Sequence, residues 1–226
     1  MDYIAHTVDT AAAAAARVRP GVHTVEKAVE QANVIVGGRS LSTTDPDRFA
    51  LGVMMSVLGG GMSSRLFQEV REHRGLCYSV YAFHWGFSDT GIFGVHAATG
   101  GENLPELMPV IVDELRKSSM NIEQQEIERA RAQIRAQLLM GQESPAARAG
   151  QIARQMMLYG RPIPNEELME RLSGITIERL TDLAGRLFFD TIPTLSAIGP
   201  LEQLAPMGDI LSSLTGKAAV PHAVAS

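Results

Sequence analysis

Residues 31–39, QANVIVGGR, alternate between two sets of side chains with a period of two residues. Ala32, Val34 and Val36 fall on one side of the backbone, and Asn33 falls on the other. This alternation predicts a β-strand with one buried face, because successive side chains of a strand point to opposite sides of its sheet.

After this first strand, the apolar residues recur at the spacing of a helix. Asp45, which precedes a proline, predicts the start of a helix that ends in the glycine run at 59–61. A second helix is predicted to begin with Ser63 or Ser64 as its N-cap and to stop at a left-handed Gly75.

A β-hairpin is predicted next, from residues 77–85 and 91–98, with a turn between them. The rest of the chain is mostly helical up to a late strand at 193–198. The five predicted helices include residues 107–115, 127–138, 145–159, 165–172 and 176–187.

The predicted order is strand, two helices, hairpin, five helices and strand, which fits neither an alternating β-α-β series nor a helical bundle. It favours an α+β fold, a two-layer α/β sandwich whose mostly antiparallel sheet is covered by helices on one side. The same pattern divides the chain into an alanine-rich lead-in (1–21), one domain (22–200) and a C-terminal segment (201–226). That segment is predicted to hold a short helix near residues 207–214 and a mobile tail.

Composition and charge narrow the classes of function. A chain with 45% hydrophobic and 20% charged residues is typical of a globular protein. Its net charge of −5, with no block of Lys or Arg, excludes nucleic acid and anionic membranes as expected partners. No apolar run reaches the roughly 18 residues that a membrane helix needs. The single cysteine, Cys77, excludes an internal disulfide and, with the polar first residues, predicts a cytoplasmic protein.

Metal and nucleotide chemistry have weak support in the sequence. Its six histidines form neither HExxH nor HxxEH, the patterns that put two imidazoles on one helix face. A metal held by His84 and His96 across the hairpin is one hypothesis, but ordinary packed or surface histidines are favoured. Gly59, Gly60 and Gly61 lack the lysine of a phosphate loop, so they either end a helix or let the backbone approach an extended peptide.

Arg71 and Tyr78 are the strongest candidates for chemistry. Arg71 lies in the last turn before Gly75, and Tyr78 begins the next strand, so the turn can bring both side chains to one edge. A guanidinium beside a phenol can donate hydrogen bonds to a carbonyl oxygen or a developing oxyanion. The alternative, which spacing alone favours, is that Arg71 complements the helix dipole and Tyr78 lines the edge of the core.

Residues 58–81, LGGGMSSRLFQEVREHRGLCYSVY, strongly resemble the second homologous half of the insulinase-type (M16, pitrilysin-like) zinc metallopeptidases, particularly the bacterial processing-protease branch. A weaker resemblance extends over residues 22–200. In that family two related halves close around an unfolded peptide, and the first half holds the zinc with HxxEH. The resemblance therefore implies the substrate-binding half of a metalloendopeptidase. Its zinc would be bound by an HxxEH-bearing half or subunit, in the same polypeptide or in a homo- or heterodimer.

The resemblance also implies roles for single residues. Arg71 and Tyr78 match the pair that contacts the substrate carbonyl or tetrahedral intermediate, and Gly59, Gly60 and Gly61 match a glycine-rich loop used in substrate handling. Two other classes of function stay open: a non-catalytic structural subunit with the same fold, and a peptide-binding module that adds extended segments to a sheet edge.

Overall fold

One mixed sheet organises residues 18–204, the part of the chain that the computed structural model describes. Its strands are β1 (Val22–Glu26), β2 (Ala32–Ser40), β3 (Ser79–Gly86), β4 (Gly91–Thr99) and β5 (Thr194–Gly199). They lie in the order β1-β5-β2-β4-β3, and all neighbouring pairs are antiparallel except β1 and β5, which are parallel. The predicted α+β fold with a mostly antiparallel sheet is confirmed.

Helices form two of the four connections between these strands, the one from β2 to β3 and the one from β4 to β5. The helices are α1 (Arg48–Gly59), a π-helix (Phe67–His73), a 3₁₀ turn (Gly101–Asn103), α2 (Leu104–Ser118), α3 (Gln124–Gln142), α4 (Pro145–Tyr159), α5 (Asn165–Ser173) and α6 (Ile177–Phe188). Within residues 18–204, none of these helices is both long and apolar enough to cross a membrane. Most of the lead-in, and the helix predicted near residues 207–214, lie outside the described residues.

Two elements near the start of the domain differ from the sequence prediction. The prediction misses β1, whose five residues show no alternation because only Val22 is buried. It also places the start of α1 too early. The Oδ1 atom of Asp45 accepts a hydrogen bond from the backbone N–H of Asp47 at 2.8 Å, which forms a turn before the helix begins at Arg48.

The second predicted helix is a π-helix rather than an α-helix. Neither predicted serine caps it, since the hydroxyl of Ser64 instead donates to the carbonyl oxygen of Gly61 at 2.6 Å. The predicted left-handed stop is confirmed, because Gly75 has φ of 64°. Short π-helical segments occur often at functional sites, which directs attention to this connection.

The helices cover one face of the sheet and leave the other uncovered. On β2, Ala32, Val34 and Val36 are at most 2% exposed, whereas Ile35 on the opposite face is 38% exposed. The largest fully buried side chains are Leu51, Met54, Leu58, Leu66, Leu104, Leu107, Met108, Ile111, Leu115, Ile127, Leu180 and Leu183. Burying each such side chain stabilises the fold by about 1.5–3 kcal/mol, so the two-layer arrangement rests on this single core.

A largely buried ion pair joins the start of the π-helix to α3. The Nε and Nη2 atoms of Arg65 donate to the two carboxylate oxygens of Glu126, both at 2.6 Å, and each side chain is 12% exposed. Burial alone would raise the pKa of Glu126, but the hydrogen bonds from Arg65 outweigh it and hold the pKa below its ordinary value. The carboxylate is therefore charged at neutral pH, and the pair fixes two elements distant in sequence.

We expect Arg65→Met to lower the free energy of unfolding by about 3 kcal/mol, because it leaves the charge of Glu126 buried without its partner. Urea unfolding followed by circular dichroism measures this change. Arg74→Met is the matched control. Arg74 is 43% exposed in its ion pairs with Glu69 and Glu106, so its loss should cost clearly less than the loss of Arg65. Equal losses in the two variants would contradict the assigned role of the Arg65 pair.

Candidate functional site

The uncovered side of the sheet, here called the open face, is rich in hydrophobic and aromatic side chains. The strand register places on it Val25, Asn33, Ile35, Tyr81, Phe83, Trp85, Ile92, His96 and Ile198. Val25, Ile35, Tyr81, Trp85 and Ile198 are each between 38% and 60% exposed. Contiguous apolar surface of this kind marks a site of interaction with another molecule.

Three aromatic residues of β3 form a ladder along one side of the open face. The ring centroids of Tyr81 and Phe83 lie 6.2 Å apart, and those of Phe83 and Trp85 lie 5.1 Å apart. Phe83 also covers Gly94 of the neighbouring strand, where an added Cβ would stand 2.6 Å from the Phe83 ring. The sequence prediction missed this ladder, although the period-two spacing of Tyr81, Phe83 and Trp85 was the signal that would have revealed it.

His96 holds a neutral imidazole in the middle of the open face. Its ring stacks on that of Tyr81 at 4.8 Å, and its Nε2 atom lies 3.2 Å from Oδ1 of Asn33. Burial lowers the pKa of His96. Its Nδ1 atom is buried and has no hydrogen-bond partner among the described residues. The hydrogen bonding of this open-face imidazole is therefore incomplete among the described residues.

The structure brings Arg71 and Tyr78 together at the end of the sheet where β3 begins. The Arg71 guanidinium lies 5.8 Å from the centre of the Tyr78 ring and 4.8 Å from that of Phe67, one turn earlier in the π-helix. Tyr78 is 73% exposed, and its backbone N–H donates to the carbonyl oxygen of Ala98 at 3.0 Å. The left-handed Gly75 permits the reversal between helix and strand, as the sequence predicts.

Arg71 carries a positive charge that other described residues leave uncompensated. The neighbouring Glu69 is engaged by Arg74 at 2.8 Å and by His73 at 3.3 Å. No ion pair joins Arg71 to a carboxylate within residues 18–204. Burial raises the pKa of the Cys77 thiol, and the charge of Arg71 offsets only part of that rise, so Cys77 is a packed and unreactive side chain.

The contacts of the glycine run 59–61 give it a definite packing role. A Cβ added to Gly59 would lie 2.2 Å from the backbone nitrogen of Ala82, so α1 can contact β3 only with glycine here. The carbonyl oxygen of Gly60 accepts a hydrogen bond from Nε2 of Gln133 at 2.6 Å, which ties the run to α3. Gly60 is exposed and Gly61 partly exposed, so part of the run remains accessible to another molecule.

The register of the hairpin separates the two histidines considered as a metal pair. His84 lies opposite Phe93, and His96 lies opposite Tyr81, so the two imidazoles do not face each other and that hypothesis is wrong. The register centres the turn between Ser88 and Asp89, one to two residues before Thr90, the midpoint of the two histidines. Across residues 18–204, no group of three or more His, Cys, Asp or Glu side chains could hold a metal ion.

Comparison with known proteins gives consistent matches. The family model described as the peptidase M16 inactive domain matches residues 11–134. An uncharacterized zinc protease of Streptomyces coelicolor is 37% identical over 182 residues, which are 80% of this chain and 39% of that protein. The probable mitochondrial-processing peptidase subunit beta of Arabidopsis thaliana is 32% identical over 192 residues, or 81% of this chain and 36% of that protein. The chain therefore spans less than half the length of either relative.

The fold is also found in solved structures. A chain of complex III2 from Candida albicans, solved with Inz-5 bound, superposes with a TM-score of 0.79 at 19% identity. The match covers 87% of this chain and 50% of that chain. At this identity the likeness establishes the shared fold and nothing further.

We expect Gly59→Ala to destabilise the fold by about 2 kcal/mol or more, because the added methyl group meets the backbone of β3. Gly52→Ala in the same helix is the control. An added Cβ there meets nothing within 4 Å, so the substitution should stabilise the fold by about 0.5–1 kcal/mol. Both changes can be measured by urea unfolding, and a Gly59→Ala variant as stable as the parent would disprove the close contact.

The free energy of unfolding should fall as the pH drops through about 6.5, partly because of His96. Its pKa is lowered in the folded state, so the unfolded state takes up the proton first and gains stability relative to the folded state. His96→Gln should therefore lose less stability than the parent between about pH 7.5 and 5.5. Burial also lowers the pKa of His84, so His84→Gln should behave similarly. Identical pH dependence in all three proteins would contradict these assignments.

Proposed function

The chain belongs to the M16 peptidase family, as one of its inactive domains, and we propose that it is the substrate-binding half of a zinc metalloendopeptidase that cleaves unfolded peptides. The relatives named as zinc proteases support this proposal. Residues 18–204 do not fit a zinc site, which requires three or four converging ligands. The zinc of the proposed enzyme therefore belongs to an HxxEH-bearing half, located in the same polypeptide or in a separate subunit of a dimer.

The observation that carries the proposal is the pairing of Arg71 and Tyr78 at the surface, with Arg71 in no described ion pair. During peptide hydrolysis the carbonyl oxygen of the substrate gains negative charge. The guanidinium and the phenol are both hydrogen-bond donors, and the guanidinium lies 5.8 Å from the centre of the phenol ring. In the proposed role they donate to this oxygen, hold the peptide in position and stabilise the tetrahedral intermediate.

Phe67 acts as a positioning residue in this scheme. Its ring lies 4.8 Å from the Arg71 guanidinium, a distance at which a cation–π interaction restricts where the long side chain can go. Glu69 contributes differently, because its hydrogen bonds with Arg74 and His73 keep its charge away from Arg71. The result is an arginine that is oriented by its neighbours but whose charge is not neutralised by them.

The open face supports an unfolded peptide as the substrate. Its exposed aromatic and aliphatic side chains suit the hydrophobic residues that a folded protein would keep buried. The exposed part of the glycine run 59–61 is proposed to assist substrate handling, in addition to its packing role. A single buried cysteine agrees with a reducing compartment, and we propose a cytoplasmic location.

The proposed role of Arg71 and Tyr78 is tested by combining this chain with an HxxEH-bearing first half and following cleavage of a quenched fluorescent peptide. We expect Arg71→Ala to lower kcat/KM by about 100-fold and Tyr78→Phe by about tenfold, because each removes a donor to the transition state. Arg71→Lys should recover part of the activity. Arg135→Ala, which removes an exposed cation of α3, is the control and should leave the rate unchanged.

Cleavage that proceeds equally well without this chain would refute the proposal. If Arg71→Ala and Tyr78→Phe both keep full activity, the chain instead serves as a structural subunit. The fold shared with a chain of complex III2 gives that alternative its support, since the open face would then be covered by a permanent partner.

A further inference from the structure

A cavity of about 500 Å³ lies on the helical side of the sheet, the opposite side from the open face. Its walls come from five elements brought together by the fold: Arg48 from α1, His84 from β3, Ile134 from α3, Arg154 from α4 and Leu172 from α5. Cavities of about 300–1,000 Å³ with apolar walls and a few polar groups are the usual sites for small molecules. The proposed peptidase role makes no use of it.

Arg48 is held at this cavity by aromatic rings rather than by a carboxylate. Its guanidinium lies 4.2 Å from the centre of the Phe49 ring and 4.6 Å from that of the Tyr159 ring. The Tyr159 hydroxyl donates to the carbonyl oxygen of Thr43 at 2.8 Å, which fixes the end of α4 against the cavity wall. Burial lowers the pKa of Arg48, as expected for a charge that is poorly hydrated and has no close anion.

The cavity contains positive charge without a matching negative charge. None of the described residues that line it is acidic. The carboxylate of Glu167 influences the charge of Arg48, but it is already bound by Arg161 at 2.8 Å and by Arg171. No ion pair or hydrogen bond joins the Arg48 or Arg154 guanidinium to another residue within 18–204. Two unpaired guanidinium groups beside apolar walls are chemically complementary to an anion with a hydrophobic body.

We propose that this cavity binds a small organic carboxylate with an aliphatic body. Arg48 and Arg154 hold the carboxylate, while Phe49, Ile134 and Leu172 enclose the hydrocarbon. A guanidinium suits this task because its planar donors match the two oxygens of a carboxylate. The bound carboxylate supplies the negative charge that Arg48 lacks in the chain itself.

The experiment titrates the 226-residue chain with decanoate below its micellar concentration and measures the heat of binding by isothermal titration calorimetry. We expect saturable binding of one decanoate per chain and no binding of decyltrimethylammonium, which has the same tail and the opposite charge. Arg48→Met and Arg154→Met should each weaken decanoate binding by about tenfold or more. Arg135→Met, an exposed α3 variant outside the cavity, should bind normally.

Gly52→Leu tests the proposal independently, in case the arginine variants do not fold. A Cβ at Gly52 meets nothing within 4 Å, and Gly52 lines the cavity, so Gly52→Leu should fill it without straining α1. Loss of decanoate binding in a folded Gly52→Leu variant is the expected result. The proposal is overturned if decanoate does not bind the parent chain, if the cationic analogue binds equally well, or if Gly52→Leu binds as tightly as the parent. Undiminished binding by folded Arg48→Met and Arg154→Met variants overturns it as well.

Discussion

The close contact of α1 with β3 at Gly59 determines how the segment that follows is arranged. The segment 60–77 begins at the end of α1, where Gly59 touches the backbone of Ala82 in β3. It ends next to Tyr78, the residue before β3, whose N–H donates to the carbonyl oxygen of Ala98 in β4. Because both ends of the segment are held beside β3, the position of the π-helix between them is restricted. The proximity of Arg71 and Tyr78 is therefore a consequence of backbone packing rather than of a bond between the two side chains.

The Arg65–Glu126 pair adds a third fixed point to this segment. It ties Arg65, two residues before the π-helix, to the first turn of α3. In addition, Gln133 of α3 donates a hydrogen bond to the carbonyl oxygen of Gly60. The glycine run, the π-helix and α3 thus share one network, and displacement of any of them is resisted by the others. A surface arginine whose backbone is held in this way keeps its position more firmly than its exposure suggests.

Most of the helices and strands could be predicted because the pattern of apolar and polar residues that indicates each element lies within that element's own residues. The alternation along β2 corresponds to the faces that the structure buries and exposes. The predicted bounds of α4, 145–159, also match, although its apolar residues Ile152, Met156 and Met157 are exposed. β1 escaped prediction because it is stabilised by β5, more than 160 residues away, rather than by its own pattern. The His84–His96 hypothesis failed because the turn is centred one to two residues earlier than assumed, which moves the partner of His84 from His96 to Phe93. The Arg71–Tyr78 pair could be anticipated because only a short turn separates the two residues, whereas the arginine-lined cavity needs five elements in place.

The position of β5 has a consequence for the time at which the sheet can form. β5 lies between β1 and β2 and is hydrogen-bonded to both, yet it is the last strand of the described chain. During synthesis on a ribosome, β1 therefore has no neighbour, and one edge of β2 stays unpaired, until residues 194–199 have emerged. The sheet closes as a late, long-range event, because β1 and one edge of β2 lack this partner while residues 41–193 are being synthesised.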